Sequence, residues 1–159
     1  MRRWWFVFLT LLGLDFFTKW AALRYIPPLG PKWLGYPFGG VAIVKLGPVT
    51  FSLNEIGNTG AAWGLFQGYS GFLFLGRLVI IAALLFYLLR PSIPFCFPLW
   101  LIATGAIGNA IDYCLYGHVI DFLHFTFWGK SFPIFNVADS LITIGVFLLI
   151  MMPKAKTAT

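Results

Sequence analysis

The part of the sequence that decides the fold runs from residue 108 to residue 140 and holds three motifs: Gly108-Asn-Ala-Ile-Asp112, Val119-Ile-Asp-Phe122 and Phe135-Asn-Val-Ala-Asp-Ser140. The whole chain has five acidic residues, and three of them, Asp112, Asp121 and Asp139, fall in these motifs. The window joins the end of one strongly apolar segment to the start of the next. Because an ionisable side chain at a membrane boundary is expensive to hold there, it is a functional candidate by default.

The composition predicts an integral membrane protein. The 159 residues are 60% hydrophobic and 10% charged, whereas a soluble domain is roughly 45–50% apolar and about 25% charged. A chain of this length holds about four spanning helices of roughly 20 residues each, with one small extramembrane region. We therefore expect an all-α integral membrane protein, a single membrane domain over residues 1–159 with four transmembrane helices.

The charge distribution argues against nucleic-acid binding. The net charge is +6, but the basic residues stand mostly at the ends of apolar segments, whereas a nucleic-acid binder gathers them on one face. The sequence has no Cys/His spacing typical of a metal site. Cys96 and Cys114, if both lie on one helix, are too far apart to form a disulfide.

The first apolar run covers residues 4–24 and follows two arginines. A cleaved signal peptide has the same order of charge and apolar residues, but this run is longer than a signal core and lacks a good cleavage site, which favours a retained span. Asp15 and Lys19 stand four residues apart on one helical face and are expected to pair. We interpret them as a structural charge pair.

Residues 25–67 differ because glycine and proline are dense there and break helices. Two runs, Val41–Leu46 and Val49–Leu53, predict short strands around a Gly47-Pro48 turn. We expect a small extracytoplasmic β-cradle that lies on the membrane between spans one and two. Asn58, in Asn58-Thr-Gly-Ala-Ala-Trp63, indicates either a close backbone approach to a ligand or a tight turn, and the sequence leaves both open.

Three further spans are predicted, over residues 69–89, 94–113 and 133–152. Arg77 lies in the middle of the second span, at the depth of Asp15 if spans one and two are antiparallel neighbours. We therefore expect Arg77 to join the Asp15/Lys19 group and to satisfy a buried charge. Asn109 and Asp112 lie three residues apart on one face of the third span.

Lysine and arginine bias predicts the orientation of the spans. One side of the predicted spans carries Arg2, Arg3, Arg90, Lys154 and Lys156 close to their ends. The basic residues of the other side are spread over longer loops. This arrangement predicts four spans with both termini cytoplasmic and the three clustered aspartates at the outer face.

The outer ends of spans three and four bring Asp121 and Asp139 within reach of each other. Two close carboxylates do not both ionise easily, so one keeps its proton. The ionised member then takes a proton from water and the protonated member donates to a carbonyl oxygen, which is acid–base peptide hydrolysis. On spacing alone, Asp121 also suits a helix cap at Phe122.

Five motifs in order resemble the lipoprotein signal peptidase (signal peptidase II) family of bacterial aspartyl proteases. The resemblance runs from Asp15 to about Ile150. It rests on Asp15-Phe-Phe-Thr-Lys19, Asn58-Thr-Gly-Ala-Ala-Trp63 and the three motifs quoted first. It implies that Asp121 and Asp139 are the catalytic dyad. It also implies that four polar residues support the site or bind the substrate: Asn58, Asn109, Asp112 and Asn136.

The resemblance also implies a substrate and a location. The substrate is a prolipoprotein with a diacylglyceryl group on its lipobox cysteine, cut just before that cysteine without metal or cofactor. The protein is expected in the bacterial inner membrane, as a monomer among membrane lipid, with the aromatic cradle helping to clamp the substrate.

One position departs from the family pattern. The family usually has Arg after the Asp of Gly-Asn-x-x-Asp, and this chain has Tyr113. A tyrosine donates one hydrogen bond but carries no charge at neutral pH. Either another cation substitutes, with Lys130 and Arg24 as candidates, or that role is dispensable.

Two other classes of protein remain as alternatives. A small transporter would use Asp15, Lys19 and Arg77 as an intramembrane charge relay. A non-catalytic membrane assembly subunit would need neither set of charged residues, and it gives no reason for acids at the outer ends of two spans.

Overall fold

The computed structural model describes residues 2–26, 41–59, 70–90 and 96–153. Within these residues the chain forms four helices and four strands: α1 (Arg2–Tyr25), β1 (Val41–Leu46), β2 (Val49–Asn58), α2 (Ser70–Leu88), α3 (Phe97–Tyr116), β3 (Val119–Phe127), β4 (Lys130–Ser131) and α4 (Val137–Met151). Parts of the predicted cradle, at 27–40 and 60–67, lie outside the described residues, as do Lys32, Lys154 and Lys156.

Two helices in the described part of the chain are long and apolar enough to cross a membrane. They cover Trp5–Tyr25 in α1 and Gly71–Leu88 in α2, with mean hydropathies of 1.5 and 2.3. Both agree closely with the predicted first and second spans. Helix α4 is apolar but has 15 residues, and α3 has 20 residues and several buried polar side chains.

The third and fourth helices begin later than predicted, and caps set the end of α3 and the start of α4. Helix α3 begins at Phe97, and it ends at Gly117, whose φ of 74° and N–H bond to the Tyr113 carbonyl stop the helix. Helix α4 begins after Asn136, whose side chain caps its first turn. The residues before Asn136 are extended, and Phe135 bridges to Leu123 of β3.

The strands form one antiparallel sheet in the order β1-β2-β3-β4. The predicted hairpin is present, with Gly47 at a φ of 55° in the turn. Strand β2 continues past Leu53 to Asn58 after a bulge and pairs with β3.

The prediction of an all-α fold whose sheet lies only between spans one and two was incomplete, because β3 and β4 come from the α3–α4 connection. The run Val119–Phe127 is rich in β-branched and aromatic residues, which favour strands. Asp121 lies inside β3, so its interpretation as a helix cap was wrong.

Helix α3 is the centre of the packing and contacts α1, α2 and α4. Glycines allow the close approach of α3 to α4, since a Cβ at Gly105 would overlap the Ala138 carbonyl oxygen. At the C-terminal end of α1, Ala22 and the following Ile26 pack with Phe122 of β3 in a small core. The sheet is thereby held against α1, and β3 comes to lie beside the first turn of α4.

Candidate active site

A buried group of charges joins α1 to α3. The Lys19 ammonium lies 2.8 Å from a carboxylate oxygen of Asp15 and 2.8 Å from one of Asp112. It also donates to the Asn109 side-chain oxygen at 2.9 Å. The predicted Asp15–Lys19 pair is therefore present, and Asp112 is a further member of it.

The carboxylates of this group also bind the backbone of the neighbouring elements. Asp15 accepts the Ala138 N–H at 2.8 Å in the first turn of α4. Asp112 accepts the Ile120 N–H at 3.2 Å in β3. Because Ala138 and Ile120 directly precede the two aspartates of the predicted dyad in the chain, the charge group fixes the backbone on which that dyad stands.

Asp121 is almost completely buried in β3, with 1% of its surface exposed. Both of its carboxylate oxygens accept side-chain amides, from Asn58 at 2.8 Å and from Asn136 at 2.7 Å. Asn58 reaches it because the end of β2 pairs with the start of β3, where Asn58 lies opposite Val119. The structure places the Asn58 side chain on Asp121. The two interpretations of this segment, a close approach to a ligand or a tight turn, also concern residues from 60 onwards, which lie outside the described residues.

Asp139 stands in the first turn of α4 as part of a capping box. The Asn136 side chain accepts the Asp139 N–H at 2.8 Å, and the Asp139 carboxylate accepts the Asn136 N–H at 3.3 Å. The other oxygen of Asp139 accepts the Asn109 amide at 2.7 Å. The amide of Asn136 also lies 3.1 Å from the Asn109 oxygen.

The four predicted supporting residues therefore come together from two elements and one connecting segment of the fold: Asn58 of β2, Asn109 and Asp112 of α3, and Asn136 before α4. Three asparagines donate to the two carboxylates directly, whereas Asp112 is linked to Asp139 through Lys19 and Asn109. Asparagine suits this arrangement because its amide offers two donors and an acceptor on one short side chain.

Both aspartates line one cavity of about 610 Å³. Its other walls are mostly apolar and come from the extended segment before α4 and from α4 itself. The lining residues include Asn58, Asn109, Phe132, Pro133, Ile142 and Thr143. The cavity thus presents two carboxyl groups at the side of an apolar space.

Arg77 also lines this cavity, which corrects its predicted place beside Asp15 and Lys19. The prediction assigned its partner by depth alone and took α1 and α2 as neighbours. Helix α2 instead packs on α3, and the ion pairs of Lys19 are with Asp15 and Asp112. Of the three residues of the transporter alternative, Asp15 and Lys19 pair with each other, whereas Arg77 lies in the cavity wall with Asp139.

Burial and the neighbouring charge on Asp139 raise the pKa of Asp121 to about 7. Burial is the larger cause, since a desolvated carboxylate loses its favourable hydration. The amides of Asn58 and Asn136 and the charge of Lys19 oppose the shift, because they stabilise the ionised form. Near neutral pH, Asp121 is therefore protonated in a large fraction of molecules while a second carboxyl group lines the same cavity.

The buried histidine of the sheet lies among polar side chains. Its Nδ1 lies 3.0 Å from the Asn54 amide nitrogen, and its Nε2 lies 2.7 Å from the Ser131 hydroxyl. Burial also lowers the pKa of His124, which keeps the ring neutral. Across the described ranges, no group of three His, Cys, Asp or Glu side chains suits a metal ion.

The fold is apolar and helical with a small sheet, and two carboxyl groups that accept hydrogen bonds from side-chain amides lie in one cavity. These features define the class of the protein as a membrane peptidase of the aspartic type. Known proteins agree with this class. A protein from Anaeromyxobacter sp. strain Fw109-5 named lipoprotein signal peptidase is 35% identical over 178 residues, covering 96% of this chain and 84% of that protein. One of the same name from Chlamydia pneumoniae is 45% identical over 108 residues, covering 65% of this chain and 64% of that protein.

A solved bacterial membrane enzyme superposes with a TM-score of 0.74 at 27% identity, covering 97% of this chain and 92% of the other. The model of the family Signal peptidase (SPase) II matches residues 7–153. The chain belongs to the signal peptidase II family and is an aspartic-type enzyme of that family. The resemblance inferred from five motifs is thereby confirmed, and family membership supports the removal of signal peptides from prolipoproteins.

Proposed function

We propose that this protein is an intramembrane aspartyl endopeptidase that removes the signal peptide from diacylglyceryl-modified prolipoproteins and cuts just before the lipidated cysteine. One observation carries the proposal: Asp121 and Asp139 line the same cavity, and side-chain amides hold both carboxyl groups. The mostly apolar wall of that cavity suits a substrate that carries acyl chains and an apolar signal segment.

The environments of the two aspartates favour different roles. Asp139 lies at the N-terminus of α4, where the helix dipole stabilises a negative charge, and its charge is one cause of the raised pKa of Asp121. We therefore assign Asp139 as the ionised base. Asp121, whose pKa is raised to about 7, is the protonated acid.

The reaction then proceeds through a tetrahedral intermediate. Asp139 takes a proton from water as the water oxygen bonds to the scissile carbonyl carbon, and Asp121 gives its proton to the carbonyl oxygen. In the second step Asp139 returns its proton to the amide nitrogen and the C–N bond breaks. Asp121 takes a proton from a hydroxyl of the intermediate as the carbonyl reforms, so both groups return to their starting states.

The same proposal includes the arrangement in the membrane. All four helices span the bacterial inner membrane as a single domain, both termini are cytoplasmic, and the active site lies towards the outer face. The protein acts as a monomer in contact with membrane lipid. The exposed apolar side chains of α1 and α2, such as Phe6, Phe17, Phe72 and Ile80, support contact with acyl chains.

Separate Asp121→Asn and Asp139→Asn variants test the proposal in proteoliposomes with a diacylglyceryl-modified precursor peptide. Each is expected to lose cleavage by at least about 10²- to 10⁴-fold, since each removes one half of the acid–base pair. Glu55→Gln is the matched control, because Glu55 is a buried acid of β2 that does not line this cavity. Full activity in either aspartate variant would falsify the proposed dyad.

A further inference from the structure

Arg77 brings a positive charge to the cavity from an unexpected helix. It lies on α2 and shares the cavity wall with Asn109 and Asp139. Its charge acts on the Asp139 carboxylate. Among the described residues of the cavity wall, Arg77 is the one basic side chain.

The packing of α2 on α3 explains how Arg77 reaches this position. The rings of Phe74 and Tyr113 stack with centroids 4.5 Å apart and planes 18° from parallel. Arg77 follows Phe74 by three residues on α2, and Asn109 precedes Tyr113 by four on α3, so each pair shares one face of its helix. Since the ring pair fixes these faces against each other, Arg77 lies one turn deeper, at the level of Asn109.

Tyr113 occupies the position at which the family pattern has arginine. Its ring is engaged by Phe74, and it brings no charge. The two cations considered as substitutes lie elsewhere: Lys130 is exposed on β4, and the Arg24 guanidinium lies 5.8 Å from the Tyr25 ring at the end of α1. The charge missing from α3 is therefore available from α2.

We propose that Arg77 is a substrate-binding residue of this enzyme and that its guanidinium holds a backbone carbonyl oxygen of the peptide beside the scissile bond. Arg77 supplies from α2 the charge that α3 lacks at Tyr113. A guanidinium has five N–H donors in a fixed fork, so it can make more than one contact at the same time. This inference rests on the proposed peptidase function.

A series of substitutions at Arg77 and Tyr113 tests the inference, with KM and kcat measured on the lipid-modified precursor peptide in proteoliposomes. Arg77→Leu is expected to raise KM about 10- to 100-fold with kcat within about threefold, because it removes a charged hydrogen bond made to the bound substrate. Arg77→Lys keeps the charge but loses the forked guanidinium donors, and its KM is expected to lie between those of the wild-type enzyme and Arg77→Leu. The double variant Arg77→Leu/Tyr113→Arg is expected to recover most of the loss in KM.

The control is Arg90→Leu, which removes the arginine that follows α2 and packs over the Phe86 ring; its KM is expected to stay unchanged. Wild-type KM in Arg77→Leu overturns the inference, as does a fall in kcat alone or a KM that stays raised in the double variant. These results are distinguishable from failure of the peptidase proposal. If Asp121→Asn retains activity, the proposed dyad is wrong. If Asp121→Asn is inactive and Arg77→Leu has the KM of the wild-type enzyme, only the proposed role of Arg77 is wrong.

Discussion

Asn136 donates a 2.7 Å hydrogen bond from its side-chain amide to the carboxylate of Asp121. The same side chain caps α4 by accepting the N–H of Asp139. One asparagine therefore connects a strand residue to the first turn of a helix and sets where the two acids stand. The relationship explains why a helix cap and an active site share one motif in this sequence.

Replacement of Asn136 is expected to separate capping from catalysis. Asn136→Ala loses the cap, which costs about 1–2 kcal/mol of stability, and also loses the amide donor to Asp121. Asn136→Ser retains a capping oxygen but cannot donate to Asp121 as the amide does. We expect thermal unfolding in detergent to be lowered in the alanine variant and nearly normal in the serine variant, with peptide cleavage strongly reduced in both. Normal cleavage in the serine variant would show that the bridge to Asp121 is unimportant.

Activity is expected to fall as pH rises above about 7. The pKa of Asp121 is raised to about 7 by burial and by the charge on Asp139, so the proton that Asp121 donates is present below that pH and lost above it. The logarithm of kcat/KM should then approach a slope of −1 with increasing pH. The measurement is a pH series on the lipid-modified peptide at constant ionic strength.

Asn58→Leu is expected to move this alkaline limb to higher pH. The Asn58 amide stabilises the ionised form of Asp121 at 2.8 Å and so lowers its pKa. Without that hydrogen bond, Asp121 holds its proton to a higher pH. An alkaline limb that stays in place, or that moves to lower pH, would contradict the assignment of Asp121 as the acid.

Local patterns were sufficient to predict several parts of this fold. Long, mostly apolar runs located α1 and α2, and glycine with proline located the hairpin turn at Gly47. Motif order also selected Asp121 and Asp139, together with three asparagines, before any geometry was known. These features depend on residues that are near in sequence or on a pattern repeated along the chain.

Other parts depend on which elements become neighbours, and the sequence does not encode that locally. Strand β3 was missed because its partner, β2, lies more than 60 residues earlier, and its aromatic residues also suit an interfacial segment. Arg77 was assigned to the wrong group because equal depth does not determine which helix lies beside α2. Asp112 was predicted to support the site, and its ion pair with Lys19 depends on how α1 packs against α3.

Removal of the Lys19 charge is expected to destabilise the fold more than removal of the whole charge group. Lys19→Met leaves Asp15 and Asp112 buried without their cation, and breaking a buried pair in this way costs about 3–5 kcal/mol. The triple variant Asp15→Asn/Lys19→Met/Asp112→Asn removes the unpaired charges and should recover much of the loss. Unfolding in detergent measures both variants, and equal stability of Lys19→Met and the parent would contradict a structural role for the group.

Gly105 is expected to be intolerant of even one methyl group because of its position against α4. A Cβ there would overlap the Ala138 carbonyl oxygen and lie 2.8 Å from Ile142 Cγ1. Gly105→Ala therefore has to push α4 away from α3, at a cost of about 1–3 kcal/mol.

The matched control is Gly76→Ala on α2, where a Cβ meets nothing within 4 Å, and which is expected to be neutral or slightly stabilising. Because Ala138 directly precedes Asp139, the displacement in Gly105→Ala also moves that carboxylate relative to Asn109. Both unfolding temperature and kcat should therefore fall in Gly105→Ala and hold in Gly76→Ala. A Gly105→Ala protein that loses stability but keeps full kcat would show that the position of Asp139 tolerates movement of α4.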